Sequence, residues 1–288
     1  FAVGFVFGYT IIESTIIGVA MMFSSTIIGI KLLPTTVLHH RRTGELVVSL
    51  LLIQDFLAIT VLLVLTGGFV EDFSGIARFG KVVLGLPLLI VFAWLFVKYV
   101  LLKILTKFDA FHEYIFLVAI GWGLGLSELA TFIGLSHEIG AFIAGVSVAT
   151  SPISIYIATN LKPLRDFFLV LFFFSLGAGF QIGLLGEIFI PAIIMAALVL
   201  LLKPIVLHGL LRSLSETDTN SWEIGFRLGQ ISEFSLLIAF IASAGHLIGE
   251  HASHLIQATA ILTFLLSSYI VVFRYPTPIG VSEKLRRD

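Results

Sequence analysis

The sequence contains no cysteine and little charge. Asp, Glu, Lys and Arg make up 12% of its 288 residues, about half of the 25% that is typical of soluble domains. Without cysteine, disulfides and thiolate chemistry are excluded, and a net charge of −1 provides no basic surface for nucleic acid. Because 58% of the residues are hydrophobic and 27 are Phe, we predict an all-α polytopic membrane protein.

Nine apolar segments separated by polar breaks are the candidate membrane helices. They are about Thr10–Leu32, Leu46–Thr66, Lys81–Leu102, Glu113–Ile133, His137–Thr150, Asp166–Gly183, Ile188–Leu211, Glu223–His246 and Ser253–Arg274. We therefore expect a transmembrane domain over residues 1–275 and a polar tail or linker over residues 276–288. Residues 1–9 are expected to be the end of a helix that begins upstream.

The basic residues are distributed unevenly between the two sides that these helices define. If all nine segments cross the bilayer, one side has only Arg78 and Lys81. The other side collects Lys31, Arg41, Arg42, Lys98, Lys103, Lys107, Lys162, Arg165, Arg212, Arg274, Lys284, Arg286 and Arg287. Positively charged loops stay in the cytoplasm, so we predict a cytoplasmic C-terminus.

Three ionisable residues lie at a similar depth within the predicted helices. They are Asp55, Lys203 and Glu233, each roughly eight to ten residues from the same end of its span. Ionisable groups at bilayer depth are costly and usually mark an ion pathway, although mutual pairing that merely makes them tolerable is the alternative. Arg227 is closer to the end of its helix, and we expect it to extend to the interface.

Two predicted helices contain runs of small residues that permit an interruption. The first run is Ser24-Ser25-Thr26, and the second contains Ser175, Gly177 and Gly179. Broken helices at mid-membrane expose carbonyl groups and helix ends for ion binding, whereas close helix packing also uses small residues. Each run precedes a helix with a buried charge by about the same spacing, which predicts two broken crossing helices in an inverted repeat.

These residues together resemble the sodium/hydrogen exchanger domain of the monovalent cation:proton antiporter-2 family, close to the Kef-type potassium efflux proteins. The similar segments, in chain order, are Ser24–Thr26, Leu51–Asp55, Gly140–Val146, Phe172–Gly177, Lys203 with Ile205–Leu207, and Gly229–Phe234. The resemblance implies the inverted-repeat antiporter fold, with no cofactor, in a bacterial or archaeal inner membrane. It also implies a homodimer formed through N-terminal helices that precede this sequence, and a C-terminal regulatory domain beyond it. The segment Ser151–Lys162 lacks the acidic stretch through which Kef-type proteins are regulated.

The expected activity is exchange of K⁺ or Na⁺ for a proton by alternating access. Burial disfavours the charged form of Asp55 and a nearby cation favours it, so a proton and a cation compete for this carboxylate. Oxygens of Ser24, Ser25, Thr26 and Gln54 are expected to replace water around the cation. By the resemblance, a Gln at position 54 implies electroneutral exchange and favours K⁺. Lys203 is expected to balance the charge of Asp55 or of Glu233.

Other classes make different demands on the same residues. A channel of this architecture would conduct without coupling to protons, and a sodium-coupled transporter of organic solutes would not require Lys203. An intramembrane aspartyl protease needs two membrane aspartates, and Asp55 is the only Asp in the middle of a predicted span, so we expect no enzyme.

Two clusters of histidines leave further alternatives open. His246, Glu250, His251 and His254 form either a metal site or a solvated helix start, and we expect no resident metal. His39, His40, Arg41 and Arg42 either sense pH or anchor the chain at the interface.

Overall fold

The computed structural model describes residues 1–34, 42–67, 73–107, 112–180 and 182–278. All regular elements in this part of the chain are helices, which confirms the predicted all-α class. The chain divides into two compact units, residues 1–58 with 180–288 and residues 59–179. The second histidine cluster falls mainly on residues 39–41, outside the described ranges.

The first unit contains the helices that form the polar centre described below. They are α1 (Ala2–Val6), α2 (Ile11–Ala20), α3 (Thr26–Lys31), the part of α4 (Arg42–Gly67) up to Ala58, a 3₁₀ turn (Ile182–Leu184), α10 (Leu185–Ser213), α11 (Asp218–Arg227), α12 (Glu233–Ala244) and α13 (Glu250–Arg274).

The second unit contains the end of α4 and five further helices. They are α5 (Phe73–Phe96), which continues through a π-helical turn (Val97–Leu101) into α6 (Leu102–Lys107), then α7 (His112–Ile133), α8 (His137–Ala149) and α9 (Ser154–Ala178). Its apolar core includes Leu101, Leu105, Ile115 and Val148.

Five of the described helices are long and apolar enough to cross a membrane. They are Arg42–Leu65, Leu84–Leu105, Tyr114–Ile133, Gly186–Ser213 and Glu250–Arg274. Three shorter apolar helices are Ile11–Ala20, His137–Ala149 and Glu233–Ala244. Since a span needs about 20 residues, α2 and α12 are each too short to cross by themselves.

The predicted interruption at Ser24–Thr26 is confirmed. Helix α2 begins with a capping box between Thr10 and Glu13 and ends at Ala20. Helix α3 begins after Ser25, whose hydroxyl accepts a hydrogen bond from the Ile28 N–H at 3.1 Å. Because this side chain satisfies one of the free N–H groups of a helix start, the chain resumes its helix here at little cost.

The second interruption lies in a helix that the sequence predicted to be continuous, Glu223–His246. Helix α11 ends at Arg227 and α12 begins at Glu233. Between them, Ser232 accepts from the Phe234 N–H at 3.1 Å and forms a capping box with Ser235. The segment Leu228–Ser232 is therefore the counterpart of the first interruption.

The interruption predicted at Ser175, Gly177 and Gly179 is wrong. Helix α9 runs without a break through Ser175 and Gly177, and Gly179 is the residue that follows its last turn. The small residues mark a helix end, and a new helix, α10, begins at Leu185. The predicted pairing of Thr10–Leu32 with Asp166–Gly183 as the two broken helices is corrected to α2/α3 with α11/α12, and an inverted repeat stays a prediction.

Close helix contacts hold the second interruption against α10. A Cβ atom added at Gly225 would lie 2.8 Å from the Pro204 carbonyl oxygen and 3.0 Å from its Cα, so only glycine permits this approach of α11 to α10. Around it, α4, α10 and α11 share a core of Val47, Leu51, Leu207, Leu211, Ile224 and Leu228. This packing places Lys203, the residue before Pro204, beside the segment Leu228–Ser232.

Candidate functional site

The two interrupted helices meet through polar groups of their non-helical segments. The Ser24 hydroxyl donates to the Leu228 carbonyl oxygen at 2.7 Å, and the Gln230 side-chain amide lies 3.5 Å from the Ser25 carbonyl oxygen. Ser24, Ser25 and Gln230 are completely buried. A buried backbone carbonyl without a donor costs about 1–3 kcal/mol, so these contacts make the two interruptions tolerable inside the protein.

Lys203 joins both interruptions. Its ammonium group donates to the carbonyl oxygens of Phe23 and Gln230, both at 2.7 Å. Among the described residues it makes no ion pair with an acid within 4.0 Å. In this structure the ammonium group is instead satisfied by the negative ends of two peptide dipoles, and a role of Lys203 in balancing the charge of Asp55 or Glu233 stays a prediction.

Asp55 lies on α4 beside the start of α3. Its side chain is buried, with 9% exposed. The Thr26 hydroxyl lies 3.2 Å from Oδ1 and 3.1 Å from Oδ2 of Asp55. One residue earlier, the Gln54 side-chain oxygen accepts from the Ser24 N–H at 2.7 Å. The structure thus brings together all five residues that the sequence assigned to ion and proton binding.

Glu233 is the first residue of α12 and lies beside Ser25 of the first interruption. It forms a hydrogen bond with the Ser25 side chain and lies near Asp55. Within the described part of the chain, its buried Oε2 atom has no hydrogen-bond partner. The N-terminus of a helix favours a carboxylate, so the position suits an acid whose second oxygen is available to a proton or a cation.

Gln230 and its partners on α13 were not identified as site residues from the sequence. The Gln230 side-chain oxygen accepts from the Ser267 hydroxyl at 2.8 Å, and the Thr263 hydroxyl lies 3.4 Å from the Ile231 N–H. The available signal was the presence of Gly229, Gln230 and Ser232 within an apolar segment, which is similar to the signal that located the first interruption.

Arg227 does not extend to the interface as expected. It is buried, with 2% exposed, and its guanidinium forms an ion pair with Glu223 one turn earlier. Its guanidinium also donates to the backbone carbonyl oxygens of Leu32 and Pro276, which replace water as hydrogen-bond partners.

Other predicted residues are not among those that form this centre. Ser175, Gly177 and Gly179 belong to the second unit. In the histidine cluster, His251 lies 2.8 Å from Glu187, while His254 packs on the ring of Phe180. No group of three or more His, Asp or Glu side chains suited to a metal ion occurs among the described residues.

A cavity of about 540 Å³ adjoins the polar centre in the first unit. Its lining is mainly apolar and includes Phe23, Gln54, Met195 and Lys203. Carboxylate, hydroxyl, amide and carbonyl oxygens are the ligands preferred by hard cations. The arrangement can therefore hold a cation without its full water shell or, in its place, a proton on a carboxylate.

Two interrupted helices that enclose buried ionisable groups, together with five helices of membrane-crossing length, define a polytopic integral membrane protein. The description "Sodium/hydrogen exchanger, transmembrane" applies to a family whose model matches residues 1–273, and the chain belongs to this family. The resemblance found in the sequence is thereby confirmed.

Curated relatives are similar over nearly the whole chain but at low identity. The "Putative cation/proton antiporter YbaL" of Escherichia coli is 25% identical over 92% of this chain and 50% of its own length. The "Iron transporter MagA" of Paramagnetospirillum magneticum is 26% identical over 91% of this chain and 60% of its own. The "K(+) efflux antiporter 5" of Arabidopsis thaliana is 26% identical over 97% of this chain and 50% of its own length. The chain thus spans about half to three-fifths of these relatives.

Proposed function

We propose that this chain forms the ion-translocating core of a monovalent cation/proton antiporter. The observation that carries the proposal is the buried Asp55 carboxylate with the Thr26 hydroxyl on both of its oxygens, at the contact of two interrupted helices. Relatives named as cation/proton and K⁺ efflux antiporters support it. The protein's membrane is proposed to be a bacterial or archaeal plasma membrane, with the C-terminus in the cytoplasm.

The physical basis of exchange is the cost of an isolated buried charge. A carboxylate in this position needs either a proton or a cation, because a buried charge without a partner costs several kcal/mol. Both ligands use the same Asp55 oxygens, so they exclude each other. Release of one on either side of the membrane then requires uptake of the other, which couples the two fluxes.

The residues around Asp55 have distinct proposed roles. Thr26, Ser25 and Ser24 offer hydroxyl oxygens to the cation, and the Gln54 oxygen orients the first interruption through the Ser24 N–H. Glu233 lies beside Ser25, where its carboxyl group, when ionised, attracts the cation. Lys203 fixes the two interruptions in contact.

Stoichiometry and ion choice belong to the proposal as well. Position 54 is Gln and position 55 is the one acid on α4 at this depth, so we infer one proton per cation and electroneutral exchange. The names of the K⁺ efflux antiporters favour K⁺ over Na⁺. A homodimer and a regulatory C-terminal domain would complete the assembly.

The test is cation-driven proton flux in proteoliposomes that contain the purified chain. A pH-sensitive dye is followed on addition of K⁺, Na⁺ or Fe²⁺, with valinomycin clamping the potential in the K⁺ experiment. We expect K⁺-dependent recovery that persists under the clamp and that is lost in Asp55→Asn. Asp218→Asn, which changes an exposed carboxylate on α11, is the matched control and should retain the flux.

Three results would contradict the proposal. Cation flux without proton movement would indicate a channel of the same architecture. Proton flux that persists in Asp55→Asn would remove Asp55 from the site. A response to Fe²⁺ alone would favour the activity named for the Paramagnetospirillum relative.

A further inference from the structure

Arg227, the last residue of α11, is the largest fully buried side chain among the residues that the structure describes. Its Nε and one terminal nitrogen donate to Glu223 Oε1 at 2.9 and 2.8 Å. This ion pair is local, because the two residues are one helical turn apart. A guanidinium has five N–H groups in a rigid fork, so donors remain for other partners.

Two further contacts of Arg227 reach other parts of the first unit. One terminal nitrogen donates to the Leu32 carbonyl oxygen at 3.0 Å, and the other donates to the Pro276 carbonyl oxygen at 2.8 Å. Leu32 follows the last residue of α3, and Pro276 lies in the segment that leaves α13. One planar group therefore joins α3, α11 and the segment that follows α13.

Helix α3 depends on such contacts for its position. It has six residues, far fewer than the 12–15 or so that an isolated helix needs to be stable. Its last carbonyls have no partner within the helix, and Arg227 supplies a donor and a positive charge at this end. The other end of α3 is Thr26, which contacts Asp55. At about 1.5 Å per residue, the two ends are roughly 9 Å apart.

The segment after α13 is packed against α11. The Tyr275 ring lies 5.7 Å from the Arg227 guanidinium carbon and 6.1 Å from the Phe226 ring. Arg274 lies over the Phe226 ring at 5.3 Å, and Thr277 is completely buried. The start of the tail is thus a fixed part of the membrane domain.

We propose that Arg227 is a positioning residue that sets the distance between Thr26 and Asp55 and links it to the segment Tyr275–Thr277. Displacement of this segment withdraws the guanidinium from Leu32, releases the end of α3 and lowers the affinity of the site for its cation. A partner or domain that pulls on the C-terminal segment would thereby regulate exchange. The expected effect on exchange rests on the proposed function. The structural link between α3 and the segment Tyr275–Thr277 is independent of it.

The first experiment measures KM and the maximal rate of exchange in proteoliposomes of the full chain. For Arg227→Lys, which keeps the charge but not the fork, we expect KM for the cation to rise about tenfold, as for loss of one charge-assisted hydrogen bond. The maximal rate should change by less than about twofold, since the reaction at Asp55 is retained. Arg212→Lys, whose guanidinium donates to the Glu216 carbonyl oxygen, is the control and should leave KM unchanged.

A double-mutant cycle separates a link from general destabilisation. Thr277→Glu would place a charge in a buried position and should displace the segment after α13, so it should raise KM as Arg227→Lys does. Because both changes break the same connection, the double variant should show no more than the larger single effect. Additive effects on KM, or an unchanged KM in Thr277→Glu, would overturn the proposal.

A second readout does not depend on transport. Since the chain has no cysteine, spin labels attached at Lys31→Cys and Phe273→Cys, both exposed positions, report the distance between α3 and the end of α13. We expect one narrow distance distribution that broadens in Arg227→Lys. If the parent chain shows no exchange, the proposed function fails while this distance still tests the link. A distance distribution that stays narrow in Arg227→Lys would overturn the proposed link.

Discussion

Thr26 and Asp55 are 29 positions apart in the sequence, and the Thr26 hydroxyl is shared between both carboxylate oxygens of Asp55 at 3.1 and 3.2 Å. Thr26→Val keeps the shape of the side chain and removes this hydroxyl. A hydrogen bond to a charged group is worth about 1.5–3 kcal/mol, so we expect the apparent affinity for the cation to fall at least about tenfold. Thr26→Ser should stay close to the parent value in the same flux assay, and equal losses in both variants would contradict a role for the hydroxyl.

Lys203 should contribute to stability through backbone carbonyls rather than through an acid. Lys203→Met leaves the Phe23 and Gln230 carbonyl oxygens without this donor, at a cost of about 1–3 kcal/mol each. Thermal unfolding in detergent should therefore occur at a lower temperature. If Lys203 were instead the counter-ion of Asp55, adding Asp55→Asn would restore the melting temperature. We expect no such rescue.

The close approach of α11 to α10 predicts a specific sensitivity at Gly225. Ala at this position would place Cβ against backbone atoms of Pro204 at 2.8 and 3.0 Å, and backbone cannot give way as a flexible side chain does. We expect Gly225→Ala to destabilise the protein by about 1–3 kcal/mol. Gly209→Ala, also on a helix but with nothing within 4 Å, is the control and should melt at or above the parent temperature.

Cation binding should displace a proton. Because both ligands use the Asp55 carboxylate, addition of K⁺ to weakly buffered protein in detergent is expected to release up to about one proton per site. Lowering the pH should raise the apparent KM for the cation, by up to about tenfold per unit where the protonated form dominates. Asp55→Asn should release none. A KM that does not change with pH would contradict competition at one site.

Local properties of the sequence were sufficient to predict the class of protein, the positions of most helices and the first interruption. Hydropathy depends on composition within a window of about 20 residues, and a serine that caps a helix acts within three residues of itself. The positions of Asp55, Lys203 and Glu233 follow in the same way, because charge inside an apolar segment is visible without any tertiary contact.

Tertiary structure decided which interruptions exist and what the charged groups bind. A run of small residues at Ser175–Gly179 ends a helix, whereas the segment Gly229–Ser232 interrupts one. The two differ because the second is held in place by Lys203 at the Gln230 carbonyl oxygen and by Ser267 at the Gln230 side chain. The packing of the helices also decides which groups the basic side chains contact. Lys203 contacts two carbonyl oxygens rather than an acid, and Arg227 contacts Leu32 rather than the interface. Such contacts join residues up to about 200 positions apart, and no local pattern specifies them.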